Sequence, residues 1–463
     1  MNFPPDAPIV TAEQMRAAEA ETFCHVPQQQ VMERAGEAVA REAARFAVGR
    51  PILALAGPGN NGGDAYVAAR LLRAWGHDVA VAAHSVPTTG VAAAMHAAWD
   101  GQISSLYEAR PRPFVIDGLF GTGLLRPLER GIAAVLSELV NAADFALAID
   151  LPSGIATDSG DDLGAPRGIG ATLALAALKP GHVLGAGLAK CGHVLLADIG
   201  IAVETRWRTL ARPKLATPAV QSHKYSRGMV VVVEGEMPGA ARLTAQAAMA
   251  GGAGYVMLAG SGREGPDALV HVTVDSGDDL ADLLADERVG AVVIGPGLGR
   301  DRRAEGLLKA ALNCQRPLVL DGDAISLLGT SAAAWLQRRT APSWLTPHTG
   351  EFTRIFTGEG SKIEQTIALA IESRATVLHK GADTVIASPR GEVRILAGGT
   401  PWLSTAGTGD VLAGLVGAQV ASGSKSAAEA AAWLHGRAAR LAGPAFIADA
   451  LIGHIPEAIA ECL

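Results

Sequence analysis

"GPGNNGGDAYVAARLL", residues 57–72, decides how the N-terminal half of the chain is read. It holds a literal G-x-G-x-x-G at Gly57, Gly59 and Gly62, and it follows the apolar run "PILALA". A dinucleotide fingerprint needs a strand before the motif, a helix after it, and an acid about 20 residues on to hold a ribose hydroxyl. Only the first two are present. The next apolar run, "VAVAA" at 79–83, ends at His84 rather than at an acid, and Asp64 stands where a pyrophosphate would approach the helix. The stretch predicts the strand, glycine loop and helix of an α/β sheet, with a ligand other than a plain redox dinucleotide.

Outward from this loop, short apolar runs recur between helix-like segments: "PILALA", "VAVAA", "FVID", "FALAID" and "HVLLADIGI", after a helical opening "TAEQMRAAEAETF" and "QQQVMERAGEAVAREAARFA". That alternation predicts a parallel, doubly wound sheet. Residues 203–228 have no clear period, and we read them as an interdomain boundary. A second series begins beyond them with "MVVVV", "YVMLA", "ALVHVTV", "AVVIG", "PLVLD", "TVLHKG" and "TVIASP", predicting a second α/β domain. The expected domains are 1–210 and 223–463.

Composition narrows the function classes. The 463 residues suit two cores rather than one. With 49% hydrophobic residues, 18% charged residues and 55 glycines, the chain reads as a compact α/β enzyme rather than a disordered or fibrous protein. A net charge of −7 without any basic block argues against nucleic acid as a partner. Cys24, Cys191, Cys314 and Cys462 lack C-x-x-C spacing, so neither a zinc cluster nor a disulfide framework is expected, and a reduced cytoplasm fits. No signal peptide and no membrane-spanning run is read, so no membrane partner is expected.

Three acids in the first half follow predicted strand ends: Asp64, Asp117 in "FVIDGLFGTGLLRP", and Asp150 in "LAIDLPSG". The carboxyl ends of strands line the ligand crevice of open α/β sheets, so the three loops could meet. Any one of these acids could equally cap a helix or a turn. The Asp117 carboxylate, the Asn61 amide and carbonyls near Ser153 would suit a weakly held alkali or alkaline-earth cation.

Together "GPGNNGGDAYVAARLL", "DGLFGTGLLRP" and "AIDLPSG" resemble the N-terminal domain of the NAD(P)H-hydrate epimerases over roughly residues 10–200. The resemblance implies a Rossmann-like fold. It implies that Asn60, Asn61, Gly62, Gly63 and Asp64, with Gly121, Thr122, Gly123, Leu124, Leu125, Arg126 and Pro127, line a hydrated nicotinamide nucleotide. It also implies Asp150 as the catalytic acid at the reacting ring, and a potassium ion at Asn61, Asp117 and Ser153. Two positions depart from the family pattern: Ala65, usually glycine, and Gly118, often alanine. The loop thus binds a nicotinamide nucleotide as substrate, not as redox cofactor.

In the second half, "WLSTAGTGDVLAGLVGA" at 402–418 sets Gly407, Gly409 and Asp410 directly before an apolar helical run. Free N–H groups at such a helix start would hold phosphate oxygens, and an acid there can take a proton from a hydroxyl attacking phosphorus. A capped buried helix is the plain alternative. "HKYSRGMVVVV", "MPGAARLTAQAAMAGGAGYV", "GPGLGR", "LDGDAI", "LTPHTGEF", "KGADTVIA" and "TAGTGDVLAG" occur in an order that resembles the ribokinase-like ADP- or ATP-dependent NAD(P)H-hydrate dehydratases, from about residue 223 to the C-terminus. The resemblance implies substrate contacts at Ala253, Gly297, His348 and the catalytic Asp410. It places the nucleotide, ADP or ATP with magnesium, at Lys380, Gly381, Ala382, Asp383, Thr384 and Gly409. One departure is Glu234, in place of the family's glycine-glycine-serine stretch.

The expected function is repair of hydrated NADH and NADPH, by epimerisation in the first domain and nucleotide-dependent dehydration in the second, by a cytoplasmic homo-oligomer. Two rivals stand beside it. A small-molecule kinase fused to a Rossmann-like binding domain would share the "GTGD" loop, and a pure binding protein would share the N-terminal fold.

Overall fold

The computed structural model describes residues 3–124 and 126–463. Two compact units emerge, Met1–Thr209 and Leu210–Leu463.

In the first unit the strands are β1 (Ile52–Ala56), β2 (Val79–Ala83), β3 (Ile103–Ser105), β4 (Phe114–Gly118), β5 (Phe145–Ile149), β6 (Ala171–Leu175) and β7 (His193–Ala197). Their order is β3-β2-β1-β4-β5-β6-β7, and every adjacent pair runs parallel. Helices on both faces bury the centre of the sheet, which is why β1 and β4 are continuous apolar runs without alternation. The chain reverses its winding at β1, whose neighbours are β2 and β4. Loops leaving those carboxyl ends diverge there, and the crevice opens between them.

The glycine loop after β1 is required by crowding. A side chain on Gly57 would overlap the Leu119 carbonyl of the loop after β4, and one on Gly62 would overlap the Gly57 carbonyl. The helix Asn60–Ala74 follows at once. A short strand β8 (Trp207–Thr209) closes the unit, receiving the Ile9 N–H at Trp207 and donating the Thr209 N–H to Ala7, both near 3.0 Å.

The second unit contains β9 (Met229–Val233), β10 (Tyr255–Ala259), β11 (Val270–Val272), β12 (Ala291–Ile294), β13 (Leu318–Leu320), β14 (Ser343–Leu345), β15 (Thr376–His379), β16 (Asp383–Ala387) and β17 (Val393–Ala397). They lie in the order β11-β10-β9-β12-β13-β14-β15-β16-β17. Pairing is parallel from β11 through β15 and antiparallel in the β15-β16-β17 meander. The helix Thr408–Ala421 packs against β9, β12 and β13 and is buried nearly all round, so its sequence is apolar on every face. Its C-terminal Ala421 abuts Gly228 and Gly290, which precede β9 and β12. The helix therefore runs against the strands, and its N-terminus, with Asp410, lies at their carboxyl edge.

The aperiodic stretch 203–228 is divided between the units. Leu210 is buried in the C-terminal core, and its N–H bonds the Ile395 carbonyl at 2.8 Å. Among the described residues five strands have no counterpart among the predicted runs: β3, β6, β8, β14 and β17.

Candidate active sites

At the carboxyl ends of β1, β4, β5 and β6 a cavity of about 460 Å³ is lined by Asn60, Asn61, Asp64, Gly121, Thr122, Gly123, Leu124 and Asp150. These are eight of the positions expected from sequence. Asp64 reaches the cavity from inside the helix, one turn past Asn60, so it does not follow a strand end as read; the i,i+4 spacing puts both residues on one face. Gly62 and Gly63 face the packing against Gly57 and Met32 instead. Arg126 and Pro127 are exposed and do not line the cavity, and Leu125 lies outside the described residues.

Asp150 carries the cavity's main charge pair. Its Oδ1 lies 2.5 Å from Lys179 Nζ and accepts the Leu175 N–H at 3.1 Å. Lys179 is 1% exposed, and its Nζ also donates to the Leu175 carbonyl at 3.0 Å. Asp150 adopts a left-handed backbone, φ 60, uncommon outside glycine although aspartate enters it more readily than most residues. Two further carboxyls face this pair. Burial holds Asp64 well above the ordinary carboxylate range, reinforced by Asp150 and Glu19. Glu19, reaching in from the helix Ala12–Phe23, is raised mainly by burial, with Lys179 opposing.

Asp117 and Ser153 lie behind the cavity wall. Ser153 donates its Oγ–H to Asp117 Oδ1 at 2.6 Å and its N–H to Oδ2 at 2.9 Å. The Phe120 N–H in turn reaches Ser153 Oγ at 2.9 Å. Burial raises Asp117, while these Ser153 bonds and the Leu119 N–H lower it. Asn61 reaches the same wall beside Gly118 and Gly121, and its Nδ2 is buried without a partner.

In the second unit, Asp410 stands in the first turn of the helix Thr408–Ala421, whose N-cap is Gly407 at φ 88. The left-handed cap lets the chain turn sharply into the helix. Burial pushes Asp410 up to about 7, and the Asp321 charge pushes the same way; Lys380 opposes them, and Glu351 adds a smaller upward push. Asp321, at the end of β13, is 2.7 Å from Lys380 Nζ, and Glu351 Oε2 is 3.9 Å from it. Burial alone would lower Lys380, but these acids more than offset it and leave the ammonium raised.

His348 caps the helix Thr349–Ile355: its Nδ1 accepts the Gly350 N–H at 2.9 Å, and its N–H donates to Glu351 Oε2 at 2.9 Å. The Lys380 N–H bonds the Pro347 carbonyl at 2.8 Å, joining the His348 loop to the nucleotide-binding candidates. Gly409 lies beside Lys380. Gly381 and Thr384 close the β15-β16 turn through Thr384 Oγ1, Ala382 accepts the Gly398 N–H, and Asp383 is held by Lys362 at 2.6 Å.

Gly297, Lys380 and His348 thus gather with Asp410 at the carboxyl edge. Ala253 does not. It precedes β10, next to Gly254, whose N–H bonds the Gly228 carbonyl at the amino edge. At the carboxyl edge the first turn of the helix Pro238–Ala250 instead sets Ala240 against Gly297. From the same helix Thr244 Oγ1 donates to the Asp410 carbonyl at 3.1 Å.

The YjeF-related protein N-terminus family matches residues 28–181, and the family described as NAD(P)H-hydrate dehydratase matches residues 230–460. The bifunctional NAD(P)H-hydrate repair enzyme Nnr of Mycobacterium tuberculosis (strain CDC 1551 / Oshkosh) is 35% identical over 442 residues, spanning 90% of each chain. This chain belongs to the bifunctional NAD(P)H-hydrate repair enzymes. The Gloeobacter violaceus member is likewise 35% identical, over 93% of this chain and 92% of its own. A solved ADP/ATP-dependent NAD(P)H-hydrate dehydratase from Bacillus subtilis, co-crystallised with ATP and Mg²⁺, is 26% identical over 54% of this chain and 95% of that one, with a TM-score of 0.47.

Membership in the family of bifunctional NAD(P)H-hydrate repair enzymes removes both rivals. Among the described residues no helix is long and apolar enough to cross a membrane. Lys179, Glu19, Asp321 and Glu351 escaped the sequence reading. "LKPGHV" carried the signal for Lys179, but the strand before it, β6, was not recognised, so the lysine was never placed at a strand end.

Proposed function

We propose that the N-terminal unit interconverts the epimers of hydrated NADH or NADPH in the 460 Å³ cavity, and that the C-terminal unit dehydrates the S epimer at Asp410 using ADP or ATP. The observation that carries the reading is Asp410 itself, half-buried at a helix start and raised to about 7, poised to accept a hydroxyl proton near neutral pH. Asp410 takes the proton of the ring hydroxyl as the hydroxyl oxygen attacks the terminal phosphorus and the bridging P–O bond breaks, releasing AMP from ADP or ADP from ATP. The N–H groups at Thr408 and Gly409 face the charge that develops on the transferred phosphoryl group. Loss of phosphate, driven by the ring nitrogen's lone pair, leaves an iminium, and loss of a proton from the neighbouring ring carbon then restores the double bond of the reduced nicotinamide. Magnesium, bound with the nucleotide, would neutralise its phosphate charge. Lys380 is the cation at hand for the phosphates, and Asp321 holds it in place.

In the first unit, epimerisation requires the hydroxylated carbon to open or reclose its bond with proton transfer, and Asp150 at the cavity wall is the group placed to move that proton. Arg16 and the N-terminus of the helix Asn60–Ala74 line the same cavity and favour the dinucleotide's phosphates. Asn61, Asp117 and Ser153 would hold the potassium ion. Their fit rests on the orphaned Asn61 amide: exchanging its nitrogen and oxygen, which only hydrogen bonding distinguishes, leaves a bare carbonyl oxygen near a buried carboxylate. A cytoplasmic location, supported by four free cysteines, and a homo-oligomeric assembly complete the proposal.

The test supplies mixed hydrate epimers, ADP or ATP, magnesium and potassium, and follows recovery of reduced-nicotinamide absorbance. Full recovery needs both activities. Recovery that stops at the S fraction would refute the epimerase half, and accumulation of a stable phosphorylated alcohol would refute the dehydratase half. Replacing potassium by tetramethylammonium should slow only the conversion of the R epimer.

A further inference from the structure

His182 is fully buried two turns of chain beyond β6, in the "LKPGHV" segment, directly beneath Asp150. Its Nε2 is 2.5 Å from the Asp150 carbonyl oxygen. A carbonyl can only accept, so Nε2 carries the proton. Its Nδ1 is 2.9 Å from the Lys179 N–H. In the neutral ring that nitrogen is bare and accepts. The Lys179 carbonyl, 3.2 Å from Nδ1, would receive a hydrogen bond only from a charged ring. Burial lowers His182 to about 4, which keeps the ring neutral.

One imidazole thus holds the backbone of both members of the Asp150–Lys179 pair. Asp150 needs such a hold, because its left-handed backbone is costly for a residue with a Cβ and persists only when the surroundings fix it. We propose that His182 is a positioning residue of the epimerase site, its Nε2–H locking the Asp150 backbone so that the carboxylate stays on Lys179 and faces the cavity. This rests on the reading of Asp150 as the proton-transfer group. His182 itself does not line the cavity.

Two conservative replacements separate its two bonds. Glutamine can reach as far as Nε2 and donate to the Asp150 carbonyl, while asparagine is confined to the Nδ1 position and can only serve the Lys179 N–H. In the full-length chain, His182→Asn should lower kcat for epimerisation by tens of fold, up to ~100-fold, the scale of a misplaced reacting group, with KM nearly unchanged. His182→Gln should keep most of the rate. Equal rates in the two variants, or a fall confined to KM, would overturn the proposal.

Because a buried histidine can be needed simply for folding, the wild-type protein supplies a second readout. Histidine labelled with ¹⁵N should show the His182 ring as the neutral Nε2–H tautomer at neutral pH. An Nδ1–H tautomer or an imidazolium there would overturn the assignment whatever the variants do. Asp150→Ala serves as the control. If it leaves epimerisation at the wild-type rate, the reading of Asp150 fails and this proposal with it; if it abolishes epimerisation while His182→Asn does not, only the role of His182 fails.

Discussion

Asp150 and Asp410 both stand at the carboxyl edge of a largely parallel sheet beside one lysine and two further acids, yet the lysine is paired differently. Asp150 itself holds its buried lysine at 2.5 Å, with Asp64 and Glu19 facing the pair, whereas beside Asp410 it is Asp321 that holds Lys380. A carboxylate bound this closely to a buried ammonium is fixed in place by it. Asp410, raised to about 7 by burial and then by Asp321, can act as a base that later releases its proton. The contrast matches the two reactions: epimerisation returns the proton it takes, while dehydration must remove one from a hydroxyl as phosphorus is attacked.

Removing each acid should break the comparison most sharply. Asp410→Asn should lower dehydration by about a thousandfold, within the range general-base catalysis supplies, and leave epimerisation unchanged. Assaying both reactions on one preparation checks this, and parallel loss in a folded variant would count against separate sites. Asp150→Ala should have the converse effect, with the R epimer persisting on a chromatographic time course and a loss on the order of a hundredfold. Deleting Asp150 also strands buried Lys179 at a cost of about 3–5 kcal/mol, so the fold must be verified by denaturation. Adding Lys179→Met should recover that stability without recovering the rate.

A smaller effect sharpens the electrostatic half of the contrast. With Asp410 raised to about 7 by burial and then by Asp321, dehydration should fall about tenfold per unit below that pH and level off above it. Neutralising one upward push lowers the value, so Asp321→Asn should move the midpoint of kcat/KM to lower pH. A midpoint that stays or rises would mean that Asp321 acts only by holding Lys380, 2.7 Å away.

The two units also differ in how legible they were. Long apolar strands buried on both faces, such as β1 and β9, announce themselves, as do loops whose glycines are forced by crowding. The missed strands have physical reasons. β3 and β14 are three residues each, too short for any pattern, and β17 alternates buried and half-buried positions outside the parallel core. β6, "ATLAL", merges into "AALKPG" without a turn signal, and with it went Lys179 and His182. The acids of the second site were visible in "LDGDAI" and "LTPHTGEF", but their convergence on Lys380 depends on three strands lying side by side, which no local pattern encodes. Ala253 was misplaced for a related reason: "GPGLGR" packs on the start of its helix, at Ala240, rather than on the glycines at its end.

The smallest expected effect concerns the two positions at which the N-terminal unit departs from its family pattern, Ala65 and Gly118. They prove to be one contact. A Cβ built on Gly118 would lie 2.7 Å from the Ala65 Cβ, closer than two methyl groups can approach. A chain with glycine at 65 and alanine at 118 would place its single methyl on one side of this interface, and this chain places it on the other, within the helix that carries Asn61 and Asp64. Gly118→Ala alone should therefore overpack the wall behind the cavity and destabilise the first unit by about 1–3 kcal/mol. Ala65→Gly alone should cost about 0.5–1 kcal/mol through the flexibility of glycine in a helix. The double variant should be more stable than the sum of the two changes allows, though not fully restored. The same Cβ at 118 would still press on the Leu55 carbonyl at 2.9 Å and the Asn61 carbonyl at 3.1 Å. A double-mutant cycle by chemical denaturation measures the coupling, and strictly additive losses would show that the two departures are unrelated.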